Sequence, residues 1–175
     1  MKTFLREILG TIALAVIIFL VLHTIFPSFI VEGPSMEDSL HHEQRLLVNR
    51  AIYYFHEPEK GDVIIFRPPN NPDPKVKYIK RIIGLPGESV GIKEGVVYTN
   101  GSPLDEPYIT RDFPNDTLAQ TLIPDGEYFV LGDNRPASGD SRNGWTVKRE
   151  DIIGKAWLLI GLPKGEWGLA PNYSY

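Results

Sequence analysis

Ser35 and Lys80 are the residues of this chain whose types suit them to act together as nucleophile and base. Ser35 stands in Phe29-Ile-Val-Glu-Gly-Pro-Ser-Met36, just past a long apolar stretch. Lys80 stands in Lys77-Tyr-Ile-Lys-Arg-Ile-Ile-Gly-Leu-Pro-Gly-Glu88, within an apolar, strand-like run. A lysine with a pKa near 10.4 is neutral in only about 0.04 % of molecules at pH 7. Bringing that pKa down to about 8 takes about 3 kcal/mol, which desolvation among apolar side chains can supply. Val76, Tyr78, Ile79, Ile82, Ile83 and Leu85 are suitable neighbours. On a strand, Tyr78, Lys80 and Ile82 share one face, while Ile79, Arg81 and Ile83 share the other. The expectation is therefore that one of Lys80 and Arg81 turns inward and the other is solvated. Local pattern alone favours a plainer reading, an edge-strand lysine and a turn serine.

Other chemistries fit less well. His23 sits inside the apolar stretch, and His41, His42 and His56 fall in polar segments. Neither a Gly-x-Ser-x-Gly nucleophile elbow nor a His-Glu-x-x-His zinc pattern occurs. The chain has no cysteine, so disulfides and cysteine metal sites are excluded. No cofactor and no metal are expected. A formal charge of −4 gives no reason to expect nucleic acid as a partner. A third cluster, Gly132-Asp-Asn-Arg-Pro-Ala-Ser-Gly-Asp-Ser-Arg142, follows an apolar run ending at Leu131. It carries balanced charges and would serve as a surface loop, or as an internally bonded support for a catalytic amine.

The elements that must position these groups are legible in outline. Ile8 to Phe26 is uncharged and, as a helix, spans roughly 28 Å, close to the thickness of a bilayer core. Lys2 and Arg6 precede it, and the next lysine or arginine is Arg45, which places the N-terminus in the cytoplasm. No small-x-small cleavage site follows at His23 to Pro27, so the segment reads as an uncleaved anchor. The expected division is a cytoplasmic 1–7, a membrane anchor at 8–26 and an extracytoplasmic domain at 27–175. About 145 residues after the anchor suffice for a sizeable core.

That domain reads as mainly β and antiparallel. Strand-like runs occur at 45–50, 62–66, 76–85, 127–131 and 152–160, most of them bounded by Gly or Pro. Ser89 to Ile92 and Val96 to Thr99 flank a Lys-Glu-Gly turn, as in a hairpin. Residues 105–121 read as a longer insertion, and 161–175 as an irregular tail.

Taken in order, four blocks resemble a known family, the bacterial type I signal peptidases, which are membrane-bound Ser/Lys endopeptidases. The blocks are Gly-Pro-Ser-Met at 33–36, Lys-Gly-Asp-Val-Ile-Ile-Phe at 60–66, Tyr-Ile-Lys-Arg-Ile-Ile-Gly-Leu-Pro-Gly-Glu at 78–88, and the 132–142 cluster. The resemblance implies a transmembrane helix followed by an antiparallel β-sheet catalytic domain. It implies Ser35 as nucleophile and Lys80 as general base, acting through an acyl-enzyme, with an oxyanion hole at the Ser35 N–H and at Gly33. Ser138 would hydrogen-bond the lysine amine, and Asp140 and Arg142 would form an ion pair bracing its loop. Phe29, Val31, Met36, Leu40, Tyr78 and Ile79 would line pockets for small side chains at the −1 and −3 substrate positions. The implied partners are signal peptides of exported pre-proteins, the lipid bilayer and a neighbouring secretion translocon at the cell membrane. Gly33, where many members carry a hydroxyl residue, and Asp38, where proline is common, depart from the pattern. Two rivals use the same residues differently: a self-cleaving Ser/Lys protease of the SOS-repressor kind, and a membrane-tethered β domain that only binds peptides.

Overall fold

The computed structural model describes residues 2–110, 113–161 and 167–175, so Arg111 and Asp112 of the expected insertion and 162–166 of the tail lie outside the described residues. Helix α1 runs over Lys2–Ile25, and its stretch Arg6–Ile25 is long and apolar enough to cross a membrane. No part of that stretch is buried against the rest of the protein. Its two threonines cost little in an apolar setting, because the Thr11 and Thr24 hydroxyls donate back to the carbonyls of Glu7 and Leu20. Pro27 then ends the helix, since it has no N–H with which to continue it.

The strands are β1 Ser28–Ile30, β2 Arg45–Asn49, β3 Val63–Phe66, β4 Tyr78–Gly84, β5 Ser89–Lys93 and β6 Val96–Thr99. They continue as β7 Ser102–Pro103, β8 Leu118–Leu122, β9 Glu127–Leu131, β10 Val147–Lys148, β11 Ile152–Ile160 and β12 Gly168–Leu169. A one-turn helix, α2 Ile52–Phe55, separates β2 from β3. All the described pairings are antiparallel.

One sheet runs β1-β2-β11-β3-β4-β9-β10, with β12 also on β11. The other runs β7-β6-β5-β8 and contains the expected hairpin, whose turn residues Glu94 and Gly95 both have positive φ. The expected insertion contributes β8, which pairs with β5.

The order of the first sheet matters most for function. Strands β2 and β3 are near neighbours in sequence but are not paired. The first half of β11 pairs with β3, and its second half pairs with β2 across a bulge between Ala156 and Leu158. The nine residues of β11 therefore join the half of the sheet that carries the Ser35 loop to the half that carries Lys80. Every residue of β3 is buried, as its unbroken apolar sequence requires of a strand covered on both faces.

Covering both faces also corrects one expectation. Lys80 and Arg81 point to opposite sides of β4, and both are buried, at 4 % and 0 % exposure. Arg81 is not solvated because its guanidinium donates to both carboxylate oxygens of Asp133, at 2.9 and 2.6 Å. It also donates to the carbonyls of Gly61 and Pro171 and lies over the Tyr108 ring at 3.9 Å. The described part of the tail is irregular apart from β12, as expected, but it is bonded into the sheet. The Asn172 side chain accepts from the Val63 N–H at 2.8 Å and donates to the Ala156 carbonyl at 2.9 Å, stitching β3 to β11.

Candidate active site

Ser35 lies in the loop between β1 and β2, and Lys80 lies in the middle of β4. The fold brings them together across 45 residues of sequence, with Lys80 Nζ 2.6 Å from Ser35 Oγ. The amine also donates to the carbonyl of Ile79 at 2.9 Å. Burial lowers the Lys80 pKa to about 8, although the carboxylates of Asp140 and Asp133 pull it upward. Desolvation wins because neither carboxylate touches the amine: Asp133 is engaged by Arg81 and Asp140 by Arg142.

The 132–142 segment is the internally bonded support that its sequence allows. Arg142 donates to both oxygens of Asp140, to Asp116 at 2.7 Å and to the carbonyls of Arg135 and Ser138. Asp140 in turn accepts from the Gly132 N–H at 3.1 Å. From this frame Asn134 reaches the nucleophile loop. Its N–H donates to the Ser35 carbonyl at 3.1 Å, and its side-chain amide donates to the Pro34 carbonyl at 3.0 Å. Asn134 was given no role from the sequence, and Asp133 was read only as one of the balanced charges of this cluster. Their partners lie about a hundred and about fifty residues away, and no local pattern encodes that.

Gly132 is the point of closest approach between the two segments. A Cβ there would stand 2.5 Å from the Ser35 carbonyl oxygen and 2.2 Å from Ser138 Oγ. Gly132→Ala must displace the Ser35 backbone, an overpacking cost of about 1–3 kcal/mol. We expect it to lower any activity that depends on Ser35 at least tenfold and to lower the melting temperature. Gly91→Ala, where the nearest atom is 3.4 Å away, is the control expected to change neither.

Other expected site residues fall into place differently. The Ser138 hydroxyl is buried but makes no hydrogen bond among the described residues, so it does not contact the Lys80 amine. The amine's bonds go to Ser35 and Ile79 instead. Gly33 adopts φ +82°, a left-handed conformation that strains residues with a Cβ. Its N–H donates to His42 Nδ1 at 3.1 Å, so that donor is engaged. The Ser35 N–H makes no hydrogen bond among the described residues. His42 is exposed, as its polar segment suggests, and the fold brings it onto the turn before Ser35. Asp38 accepts from the Thr110 hydroxyl, and it is not among the charges that shift Lys80.

A groove of about 680 Å³ opens beside the pair. Phe29, Val31, Leu46, Ile65, Tyr78 and Ile79 give it apolar walls, and Ser35 and Lys80 both line it. Met36 and Leu40, expected among the pocket residues, do not line it. Each is fully buried in the core cluster with Val31, Leu46 and Ile65, behind the groove wall. The arrangement places a hydroxyl and a neutralisable amine side by side at the wall of an apolar groove. No cluster of His, Cys, Asp or Glu suited to a metal ion occurs among the described residues.

Comparison with known proteins shows the family. The family described as "Signal peptidase, peptidase S26" matches residues 4–160. Signal peptidase I T of Bacillus subtilis is 40% identical over 165 residues, covering 89% of this chain and 84% of the relative. The probable signal peptidase I-1 of Synechocystis is 35% identical over 179 residues, covering 98% of this chain and 90% of the relative. Among solved structures, a signal peptidase I from Enterococcus faecalis is 34% identical with a TM-score of 0.49, covering 57% of this chain and 97% of that one.

Proposed function

Because this chain belongs to the signal peptidase family, peptidase S26, we propose that it removes signal peptides from exported pre-proteins with Ser35 as nucleophile and Lys80 as general base. The observation that carries this reading is the 2.6 Å contact between a buried lysine amine and a serine hydroxyl. In the neutral form the amine accepts the hydroxyl proton as Ser35 Oγ attacks the scissile carbonyl. It then delivers that proton to the leaving amine, so the peptide C–N bond breaks as the acyl-enzyme ester forms. Water activated by the same amine hydrolyses the ester. The free Ser35 N–H is the first donor to the oxyanion. The Gly33 N–H joins it only by exchanging its bond to His42.

The apolar groove fits small side chains at the −1 and −3 positions of the substrate. Residues 1–7 lie in the cytoplasm, α1 anchors the chain in the cell membrane, and 27–175 form the catalytic domain outside, near the secretion translocon. This topology is supported by the unburied apolar helix and by Lys2 and Arg6 at its start.

The test is the pH dependence of kcat/KM on an Ala-x-Ala pre-protein, with Ser35→Ala as the inactive reference. A base with a pKa of about 8 is neutral in roughly a tenth of molecules at pH 7. Activity should therefore rise tenfold per pH unit below 8 and level off above it. A midpoint near 6.5 would point to a histidine base and sink the assignment, as would cleavage by Ser35→Ala.

A further inference from the structure

On the side of the domain where α1 ends, a second cavity of about 590 Å³ lies between the helix exit and the sheet. Thr24 and Ile25 bound it on one side, and Arg50, Tyr54, Arg67 and Arg149 line it on the other. It shares no residue with the groove beside Ser35. Nothing in the proposed cleavage reaction uses it.

The three arginines differ in a telling way. Arg149 is occupied, donating to Glu57 at 3.0 Å and to the Tyr53 carbonyl. The side chains of Arg50 and Arg67 are exposed and make no hydrogen bond or ion pair among the described residues. Glu150 also lines the cavity, so two free guanidiniums and one carboxylate leave it one positive charge in excess. One guanidinium is fixed in place at its backbone: the Arg50 N–H donates to the carbonyl of Ile25, the last residue of α1, at 3.1 Å.

Aromatic side chains on the same side set the depth. Tyr54 and Phe55 of α2 are 82 % and 80 % exposed and adjacent, an apolar patch of the kind that marks an interaction surface. The exposed Trp157 lies against Phe26 at the helix exit, the two rings tilted with centroids 5.0 Å apart. Exposed aromatics around the end of a membrane-length helix are characteristic of the bilayer interface. Basic side chains at that depth meet lipid phosphates.

Resting on the membrane topology proposed above, we propose that this cavity binds the phosphodiester headgroup of an anionic glycerophospholipid. Arg50 and Arg67 pair with the phosphate oxygens, Tyr54 borders the headgroup, and α1 holds the acyl chains alongside. Such a lipid would fix the rotation of the domain about α1, and with it the height of the Ser35 groove above the bilayer.

The experiment uses the full chain with phosphatidylglycerol and phosphatidylcholine. Flotation with phosphatidylcholine vesicles first tests the anchor: failure to float overturns the membrane topology itself. For protein that floats, native mass spectrometry from detergent counts retained lipids in competition. One basic charge in excess at an anionic surface corresponds to about a fivefold preference for phosphatidylglycerol. Arg50→Gln with Arg67→Gln should erase that preference, whereas Arg45→Gln at the other end of β2 should keep it, and both should cleave a soluble peptide as before. Floating protein whose lipid preference survives the double substitution would overturn the site. Displacement of the lipid by millimolar glycerol 3-phosphate would overturn it too, by showing a pocket for soluble phosphate.

Discussion

Lys80→Met is expected to abolish cleavage and, at neutral pH, to make the protein more stable. The loss of activity follows from removing the only amine in contact with Ser35 Oγ among the described residues, a general-base contribution of about 10²–10⁴-fold. The gain in stability follows from the direction of the pKa shift. In the unfolded chain the lysine titrates at its ordinary value of 10.5, and in the folded protein at about 8. Between those values the unfolded state binds the extra proton, so stability rises with pH across that window. Below pH 8 the folded protein bears the full cost of a buried ammonium, about 3 kcal/mol at most. Methionine removes that cost while forfeiting the bonds to Ser35 and Ile79, worth about 1 kcal/mol each. A net gain of about 1 kcal/mol corresponds to a rise of roughly 2–4 °C in melting temperature. Thermal unfolding of both forms at pH 7 and pH 10.5 checks it. The advantage of the variant should reverse at the higher pH, where the wild-type lysine is neutral when folded and keeps both bonds. A variant less stable than wild type at pH 7 would show that burial is not what lowers the lysine.

Asp133→Ala should be the most damaging substitution away from the groove. It leaves the Arg81 guanidinium fully buried with only two carbonyls and two tyrosine rings as partners. Breaking one side of such a pair costs about 3–5 kcal/mol, a large part of the 5–15 kcal/mol that holds a typical domain together. The loss should reach Ser35 as well, because the next residue, Asn134, holds the Ser35 carbonyl. Denaturant unfolding and peptide cleavage measure the two effects. Replacing both partners, Arg81→Met with Asp133→Leu, should recover much of the stability, since no buried charge is then stranded. A double variant no better than the single one would mean that the carbonyl bonds, not the ion pair, dominate.

The apolar helix, the Lys-Glu-Gly hairpin and five of the strands were legible because their signals are local: uncharged length, period-two alternation, turn residues. Lys80 was not legible in this way: its local pattern favoured an edge-strand lysine, and only the resemblance of four blocks taken together pointed to a base. Arg81 beside it was misjudged, because the groups that permit its burial come from Asp133, Gly61 and Pro171. The two-residue strands β7, β10 and β12 carry too few side chains for any pattern. Met36 and Leu40 show a further limit: an apolar residue next to a nucleophile can support the wall of a groove without facing it.

The path of the sheet has a consequence for biosynthesis. The nucleophile loop hangs from β1 and β2 and the base from β4, and the strand that links these halves, Ile152–Ile160, is made late. At about 5–20 residues per second, roughly 6–25 s pass between synthesis of Ser35 and arrival of that strand. Throughout that interval an apolar helix, much like the segments a signal peptidase removes, lies immediately upstream of the serine. With the linking strand not yet made, serine and lysine are not held together. On the mechanism proposed above, a chain assembled in this order cannot cleave until Ile152–Ile160 has joined the two halves of the sheet.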